Sequence, residues 1–327
     1  MKVQCELCPK LCLIQPGQSG ECGVRINIDG VLRSVVYGYP CSIHIDPIEK
    51  KPLFHFLPGT GILSIATVGC NLHCTNCQNW EISQANPEDE GLPPAYVCPP
   101  EKLVVLTRRN NCLSLAYTYT EPIVYYEYTC DSAKLARNAG IRNVLVTAGY
   151  INAEPWKELL RYVDAANIDL KSISEDFYRR ICSATLKPVQ NALVMAKASG
   201  ILVEVTNLVI PTLNDEPEQI KELARWIKAN LGVETPLHFS GFHPRYKMRN
   251  LLATSLKTLE TARRIAMDEG LDYVYIGNLA SAEGQNTYCP GCNKLLIERS
   301  GFRILQNRLS DGGACPDCQR EIHGVWK

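Results

Sequence analysis

The chain has 327 residues, which is enough for one large domain with small appendages. It carries 34 basic and 34 acidic side chains, so its net charge would not attract nucleic acid or an anionic membrane surface. No apolar run approaches the ~20 residues that cross a bilayer, and the start lacks the charged-then-apolar pattern of a signal peptide. We therefore expect a cytoplasmic protein. Eleven of the 16 cysteines fall into three compact groups, which in an intracellular chain indicates metal binding rather than disulfides.

Residues 1–60 are predicted to form a separate cysteine-rich module. Its cysteines follow a C-x2-C-x3-C-x9-C pattern and are Cys5, Cys8, Cys12 and Cys22. Four thiolates at this spacing can close on one metal, and the alternatives are zinc, which we slightly favour, an auxiliary [4Fe–4S] cluster, or free thiols. A β-hairpin is predicted over 26–28 and 31–36, with Asp29-Gly30 at its turn.

The second group of cysteines follows an apolar run over 62–68 that predicts a buried strand. Cys70, Cys74 and Cys77 form a C-x3-C-x2-C loop. Thiolates suit iron–sulfur clusters and zinc, and three of them would leave one iron of a [4Fe–4S] cluster open for a substrate. The alternative is a zinc knuckle that uses His73 or a distant residue as a fourth ligand. The position directly after a strand favours the cluster.

Residues 61–285 alternate between apolar runs and amphipathic segments, which predicts a parallel sheet with helices outside it. Strands are predicted at 62–68, 112–119, 143–148, 166–170, 201–210, 236–241 and 272–277. Helices are predicted near 100–109, 122–139, 154–164, 174–182, 187–199, 216–230 and 254–269. Because no G-x-G-x-x-G follows the first strand, we expect an α/β fold of the partial (β/α)6-type TIM barrel class rather than a doubly wound sheet. The cysteine loop would lie at the C-terminal rim, where such barrels place their chemistry.

The inner faces of the predicted barrel strands are polar. If the apolar side chains of each strand face the helices, period-two alternation sends the others inward. These inward residues are Ser114, Ala116, Thr118, Thr120, Asn167, Asp169, Lys171, Glu204, Thr206, His238 and Ser240. Unpaired buried charge is costly, so we expect water or a polar, zwitterionic ligand in the lumen. The alternative is internal pairing, such as Asp169 with Lys171.

Residues 286–327 are predicted to form a C-terminal metal ribbon. Cys289 and Cys292 are separated from Cys315 and Cys318 by 22 residues, and a hairpin is predicted between them. Two C-x2-C knuckles supply four thiolates for tetrahedral zinc or for a single iron. The metal would be structural if zinc, and a candidate electron-transfer site if iron.

Several stretches together resemble the radical SAM (S-adenosylmethionine) enzymes of the AmmeMemoRadiSam system, which are related to the pyruvate formate-lyase activating enzymes. The resemblance rests on the loop Cys70–Cys77 with its continuation QNWEIS, and on DPIEKKPL at 46–53, YTEP at 119–122, PLHFS at 236–240, YIGN at 275–278 and the C-terminal cysteine pairs. It implies a partial SAM barrel in which Cys70, Cys74 and Cys77 hold a [4Fe–4S] cluster. The reduced cluster would cleave SAM to a 5′-deoxyadenosyl radical that abstracts hydrogen from a substrate.

The same resemblance implies a set of SAM-binding residues. They are Thr120 and Glu121 in the turn after the second strand, Asp169 and Lys171 on the fourth, His238 on the sixth, and Asn76 in the cysteine loop. Asn76 departs from the family pattern, which has an aromatic residue just before the third cysteine. That departure leaves the shielding of the cluster open, since exposure tunes the potential of such clusters.

The sequence leaves the substrate and the catalytic residues unknown. The leading hypothesis is a radical SAM enzyme that modifies a small molecule or a peptide, and the alternative within it is an activase that acts on a glycyl-radical partner protein. A zinc-ribbon binding protein and a thiol redox protein are less favoured. The resemblance implies an electron donor such as a ferredoxin or flavodoxin, and partners of the Memo and AmmeMemo families. Nucleic acid and membrane partners are not expected.

Overall fold

A computed structural model describes residues 1–89 and 96–327. The strands are β1 (Val3–Gln4), β2 (Leu13–Ile14), β3 (Arg25–Ile28), β4 (Val31–Ser34), β5 (Ser42–Pro47), β6 (Gly61–Ala66), β7 (Ser114–Tyr117), β8 (Arg142–Thr147), β9 (Ala165–Asp169), β10 (Leu202–Val209), β11 (Leu237–Gly241), β12 (Val274–Gly277), β13 (Thr287–Tyr288), β14 (Leu295–Ser300) and β15 (Arg303–Asn307). The α-helices are α1 (Trp80–Ser83), α2 (Pro100–Arg109), α3 (Tyr126–Asn138), α4 (Ala153–Leu160), α5 (Glu175–Phe177), α6 (Leu186–Ala198), α7 (Pro217–Leu231) and α8 (Leu256–Asp268). A 3₁₀ turn spans Ile48–Lys50, and a π-helix spans Tyr178–Cys182.

The main sheet contains the strands β5 to β12 in sequential order. Strands β6 to β12 are parallel, and β5 pairs antiparallel with β6. Sequential order with outer helices is the topology of a barrel, and the edge strands β5 and β12 leave this barrel open along one side. The predicted fold class is confirmed. Strand β5 differs from the prediction, which placed residues 42–47 in the N-terminal module.

The helices begin and end where local sequence signals put them. Pro100 and Pro217 occupy the first turns of α2 and α7, where a missing N–H costs nothing. The Ser255 hydroxyl accepts a hydrogen bond from the Thr258 amide at the start of α8. The helix predicted near 174–182 is a short α-turn that continues as the π-helix Tyr178–Cys182. In the described ranges 1–89 and 96–327, no helix is long and apolar enough to span a membrane.

An apolar plug fills the lower end of the barrel lumen. Four side chains from 48–57 are buried there, namely Ile48, Leu53, Phe56 and Leu57. They pack against inward residues at the starts of the strands, namely Ile62, Ala116, Val144, Ala165 and Leu202. Burial of this many aliphatic groups is a large favourable term. The polar lumen that the sequence predicts is therefore confined to the upper part of the barrel.

The C-terminal module holds the plug in place. The strands β13, β14 and β15 form the predicted ribbon sheet, which packs on Phe54 and Tyr275. The buried Arg299 guanidinium donates to the Phe54 carbonyl at 2.8 Å and lies over the Phe54 ring. The tail adds backbone bonds from Val325 N to His55 O and from Leu57 N to Val325 O, each 2.7 Å.

The N-terminal module docks directly on the cysteine loop. Gly69, the residue before Cys70, has φ +92°, and a Cβ there would lie 2.7 Å from the Cys22 carbonyl oxygen and 2.6 Å from Val24 Cγ1. Only glycine allows this approach without displacement of the module. A second contact is made by Asn152, whose backbone N–H donates to the Leu7 carbonyl at 3.0 Å.

This close approach predicts different costs for two glycine-to-alanine substitutions. Gly69→Ala and Gly140→Ala both force alanine into a left-handed conformation, which costs about 1–2 kcal/mol, but no atom lies within 4 Å of a Cβ at Gly140. We expect Gly69→Ala to lower the free energy of unfolding by a further ~1–3 kcal/mol through overpacking. Denaturant unfolding measures the difference, and limited proteolysis should show faster cleavage of residues 1–60 only in Gly69→Ala. Equal costs would contradict the docking described above.

Candidate functional site

The three loop cysteines line one cavity at the C-terminal rim. Cys70, Cys74 and Cys77 border about 1100 Å³ of space that opens to solvent and reaches down to the ends of β7 to β11. The loop has no regular secondary structure, so its backbone amides find partners on neighbouring segments. His73 N donates to the Cys182 carbonyl at 3.1 Å, and Thr75 N donates to the Ile181 carbonyl at 2.9 Å.

The sulfurs of the three loop cysteines are not gathered as the close ligand set of a single tetrahedral ion. Within the described residues, the sulfurs of Cys70, Cys74 and Cys77 do not all lie within 4.8 Å of one another. They do not form such a group with a further ligand either. Zinc with Zn–S bonds of about 2.3 Å requires tetrahedral sulfurs roughly 3.8 Å apart. Three soft ligands around an open space are the donor set of an iron–sulfur cluster with one free iron. His73 does not line the cavity. Its Nδ1 lies 2.8 Å from Gln84 Oε1.

Five of the six residues predicted to bind SAM line the same cavity as the cysteines. They are Asn76, Thr120, Glu121, Asp169 and Lys171. Their elements are the cysteine loop, the turn after β7, and the end of β9. The parallel strands bring these positions to one rim because all carboxyl ends of a parallel sheet meet there.

Glu121 is held rigidly at the wall of the cavity. Its Oε1 accepts a hydrogen bond from the Thr147 hydroxyl at 2.5 Å, and its Oε2 accepts one from the Ala148 amide at 2.7 Å. The side chain is 1% exposed. Burial raises the pKa of Glu121 to about 7, although the donors favour the charged form. A cationic group bound beside Glu121 would stabilise its ionised carboxylate and so lower its pKa.

Asp169, the last residue of β9, and Lys171 form an ion pair at the cavity wall. Lys171 Nζ lies 2.6 Å from Asp169 Oδ2, so the internal pairing considered from the sequence is present. Burial alone would lower the pKa of Lys171, but Asp169 and nearby sulfurs raise it well above its ordinary value. The pair therefore presents one cation and one anion to the cavity, which suits a zwitterionic ligand.

Asn76 is buried, and its amide oxygen faces no donor. Among the described residues, Asn76 Oδ1 has no hydrogen-bond partner, which leaves it free to accept from a ligand. The segment after β11 covers the loop: Lys247 N donates to Thr75 O at 3.2 Å, and Gln78 Nε2 donates to His243 O at 3.0 Å. Cover for the loop thus comes from a different part of the chain.

His238 lies below the cavity and does not line it. Its Nε2 lies 2.6 Å from Glu204 Oε2, and its ring packs edge-on against Phe54. Glu204 Oε1 also accepts the His55 amide at 2.7 Å. Burial alone would raise the pKa of Glu204, and the hydrogen bond from His238 lowers it. The inward positions Glu204 and His238 are thus paired with each other and with the plug.

Lys51 is a site residue that the sequence analysis did not single out. The structure puts it at the cavity wall, 1% exposed. Its Nζ lies 2.7 Å from Asp46 Oδ2 and 4.1 Å from the centre of the Tyr119 ring. Burial lowers the pKa of Lys51 to about 8, although Asp46 opposes this. The only sequence signal was the DPIEKKPL stretch itself.

Cys182 is a second residue whose position the sequence did not reveal. It ends the π-helix, a form that often marks functional sites. The interaction of the Cys182 side chain with the Cys74 sulfur, together with the charge of Lys171, lowers the pKa of Cys74 although burial opposes this. A lowered pKa favours the thiolate, the form that binds metal.

The C-terminal sulfurs converge tightly. Cys289 Sγ lies 3.4 Å from Cys318 Sγ, Cys292 Sγ lies 3.6 Å from Cys315 Sγ, and all four lie within 4.8 Å of one another. These separations are those of four ligands around one tetrahedral metal. The N-terminal sulfurs of Cys5, Cys8, Cys12 and Cys22 line a different cavity.

The signature of the radical SAM superfamily matches residues 64–227, which include the cysteine loop, Glu121 and the Asp169–Lys171 pair. The chain belongs to the radical SAM superfamily. Its similarity to "Uncharacterized protein MJ0808" of Methanocaldococcus jannaschii is 51% identity over 98% of this chain and 95% of that one. It is 26% identical to a pyruvate formate-lyase-activating enzyme of Clostridium pasteurianum, over 63% of this chain and 87% of that one.

A solved radical SAM methyltransferase from Sphaerobacter thermophilus shares the fold, with a TM-score of 0.53, 17% identity and 70% of each chain covered. Membership of the superfamily implies a [4Fe–4S] cluster and SAM as cofactors. Three cysteines and a cavity lined by Glu121 and the Asp169–Lys171 ion pair have the donor chemistry that suits both groups.

The buried carboxyl of Glu121 predicts a pH-dependent stability. Its pKa is about 7 in the folded chain against 4.5 for the ordinary side chain, so between these values the folded state holds a proton that the unfolded state has lost. The free energy of unfolding should therefore fall as pH rises through this window, by about 1–3 kcal/mol.

The neutral variant Glu121→Gln isolates this effect. It should match the wild type at the acid end of the window and exceed it in stability near pH 7. Parallel denaturant unfolding across pH measures both curves. If the two curves run parallel throughout, Glu121 is not held protonated by burial.

Proposed function

We propose that this chain is a radical SAM enzyme in which Cys70, Cys74 and Cys77 hold a [4Fe–4S] cluster and the cavity beneath them binds SAM. The reduced cluster supplies reductive cleavage of SAM to a 5′-deoxyadenosyl radical, which abstracts hydrogen from the substrate. The observation that supports this most directly is the single cavity lined by three spread thiols, a buried carboxyl and an ion pair.

The protein's own residues have distinct roles in this proposal. Glu121 binds the amino group of SAM, since it offers a buried carboxyl whose ionised form an adjacent cation would stabilise. Thr120 fixes the same turn, because its hydroxyl donates to the Thr67 carbonyl at 2.9 Å. The Asp169–Lys171 pair orients the charged methionine end of SAM, and Asn76 accepts a hydrogen bond from the nucleoside. His238 acts on this site only by supporting the strand floor through Glu204.

The position of Lys51 favours a small or flexible anionic substrate. A buried cation at the cavity wall stabilises a carboxylate or phosphate group more than an exposed one would, because the local dielectric is low. Lys50 lines the same wall, paired with Asp46 at 2.8 Å. The N-terminal module docks on the cysteine loop at the rim, so it occupies surface that a folded partner protein would need.

The second candidate function is an activase that acts on a partner protein. It is favoured by the relatives named as activating enzymes, the pyruvate formate-lyase-activating enzyme and the 4-hydroxyphenylacetate decarboxylase activating enzyme of Clostridium scatologenes. We further propose membership of the AmmeMemoRadiSam group, with Memo and AmmeMemo proteins as partners and a ferredoxin or flavodoxin as electron donor. The quoted sequence stretches support this group assignment.

The cofactor proposal predicts a spectroscopic result. After anaerobic reconstitution with iron and sulfide and reduction with dithionite, low-temperature EPR should show a [4Fe–4S]⁺ signal that SAM shifts. The SAM-dependent part should vanish in a Cys70→Ala, Cys74→Ala, Cys77→Ala variant and persist in Cys130→Ala, which alters a cysteine buried on α3. A signal that is insensitive to SAM in the wild type would refute the proposal.

The substrate proposal predicts which cell fraction stimulates the enzyme. Release of 5′-deoxyadenosine should rise with the dialysable fraction of a cell extract, and anion-exchange treatment should remove the active component. Lys51→Met should reduce this stimulation at least ~10-fold, as expected for loss of a buried charge contact. Lys257→Met, on the exposed start of α8, should not. Stimulation confined to the retained protein fraction would instead support the activase.

A further inference from the structure

The four N-terminal cysteines surround a cavity that the SAM site does not use. Cys5, Cys8, Cys12 and Cys22 line a small pocket between the first module and the barrel rim. The rest of its wall is mainly apolar and includes Leu7, Ile14, Ile123 and Val124. All four thiols are free in the structure. Four soft ligands around an apolar-walled space form a metal site rather than a site for a small polar molecule.

The N-terminal sulfurs are not gathered as closely as the four sulfurs of the C-terminal ribbon. The C-terminal cysteines show how this chain builds such a site, with four sulfurs within 4.8 Å of one another. No such convergence occurs among the N-terminal cysteines, all of which lie in the described part of the chain. A single zinc would leave sulfurs roughly 3.8 Å apart. Thiolates that stay farther apart around a cavity are the arrangement for a cluster with several metal ions.

One buried hydrogen-bond donor at this cavity, the Nε of Arg25, has no partner among the described residues. Arg25 is 7% exposed and Asn71 is 2% exposed, and both line the cavity. Arg25 donates through both Nη atoms to Glu127, whereas its Nε has no hydrogen-bond partner in the structure as described. A buried unpaired donor costs free energy. A sulfur-rich anionic group in the cavity would receive it, and hydrogen bonds to sulfur tune the potentials of iron–sulfur clusters.

The cavity also adjoins the loop of the proposed SAM site. Asn71 lines the N-terminal cavity, while its neighbour Cys70 lines the other. The Cys22 carbonyl lies so close to Gly69 that only glycine fits there. Two adjacent residues of the same loop thus line the two cavities. This placement distinguishes the N-terminal set from a remote structural staple such as the C-terminal ribbon.

We propose that Cys5, Cys8, Cys12 and Cys22 bind a second iron–sulfur cluster, of the [4Fe–4S] type with a complete set of four thiolate ligands. All four irons then have protein ligands, so this cluster has no open position and does not bind SAM. The proposal reverses the slight preference for zinc that the sequence alone supports. It does not depend on the function of the SAM site.

The test removes the first cluster and asks what iron and sulfide remain. The full chain with Cys70→Ala, Cys74→Ala and Cys77→Ala is purified and reconstituted anaerobically, and its iron, zinc and acid-labile sulfide are measured. We expect about four irons and four sulfides per chain, and a reduced EPR signal that SAM does not change. Acid-labile sulfide is decisive because a single iron on the C-terminal cysteines contributes none.

Two further variants guard against misfolding and misassignment. Cys12→Ser with Cys22→Ser in the otherwise unchanged chain should lose about half of the wild-type sulfide and keep the SAM-dependent EPR signal. Cys292→Ser with Cys318→Ser should lose no sulfide. The proposal is overturned if the triple variant, folded by circular dichroism, holds only zinc or no sulfide. It is equally overturned if Cys12→Ser with Cys22→Ser retains full wild-type sulfide.

Discussion

The cysteine loop between β6 and α1 cannot satisfy its own backbone, and much of the architecture follows from that constraint. The loop has no regular secondary structure. Several of its backbone groups therefore form hydrogen bonds with other segments of the chain. The π-helix supplies the carbonyls of Ile181 and Cys182 to it, and the segment after β11 supplies the N–H of Lys247. On the remaining side, Gly69 admits the N-terminal module to backbone contact. Three separate elements therefore contact the loop and hold its position.

The polar lumen is divided into two layers that solve the cost of buried charge in different ways. In the lower layer Glu204 is paired with His238 and the His55 amide, so its charge is satisfied by the protein alone. In the upper layer Glu121, Asn76 and the Asp169–Lys171 pair border open space. Because the lower layer is sealed by the plug, the cavity has a firm floor. The ligand site that we propose therefore lies in the upper layer.

Sequence reasoning predicted the barrel well because period-two and helical patterns are local. All seven parallel strands lie within the predicted runs or differ from them by one residue. Strand β5 escaped because an edge strand with exposed Ile45 has no clean alternation. Lys51 and Cys182 escaped for another reason: their importance depends on which distant residue lies beside them. The 3₁₀ turn and the π-helix that position them carry no simple sequence period.

Spacing along the chain predicts which cysteines act together, but only their separation in space indicates what they bind. The sequence predicts two four-thiolate metal sites, one from the C-x2-C pairs at 289–292 and 315–318 and the other from the four cysteines at 5–22. In the fold the first set converges within 4.8 Å, and the second set encloses a cavity beside a buried guanidinium with an unpaired Nε. The C-terminal sulfurs lie close enough together to ligate one metal ion, whereas the N-terminal sulfurs are not gathered in this way. The different inorganic groups that we propose for the two sets follow from this difference in separation.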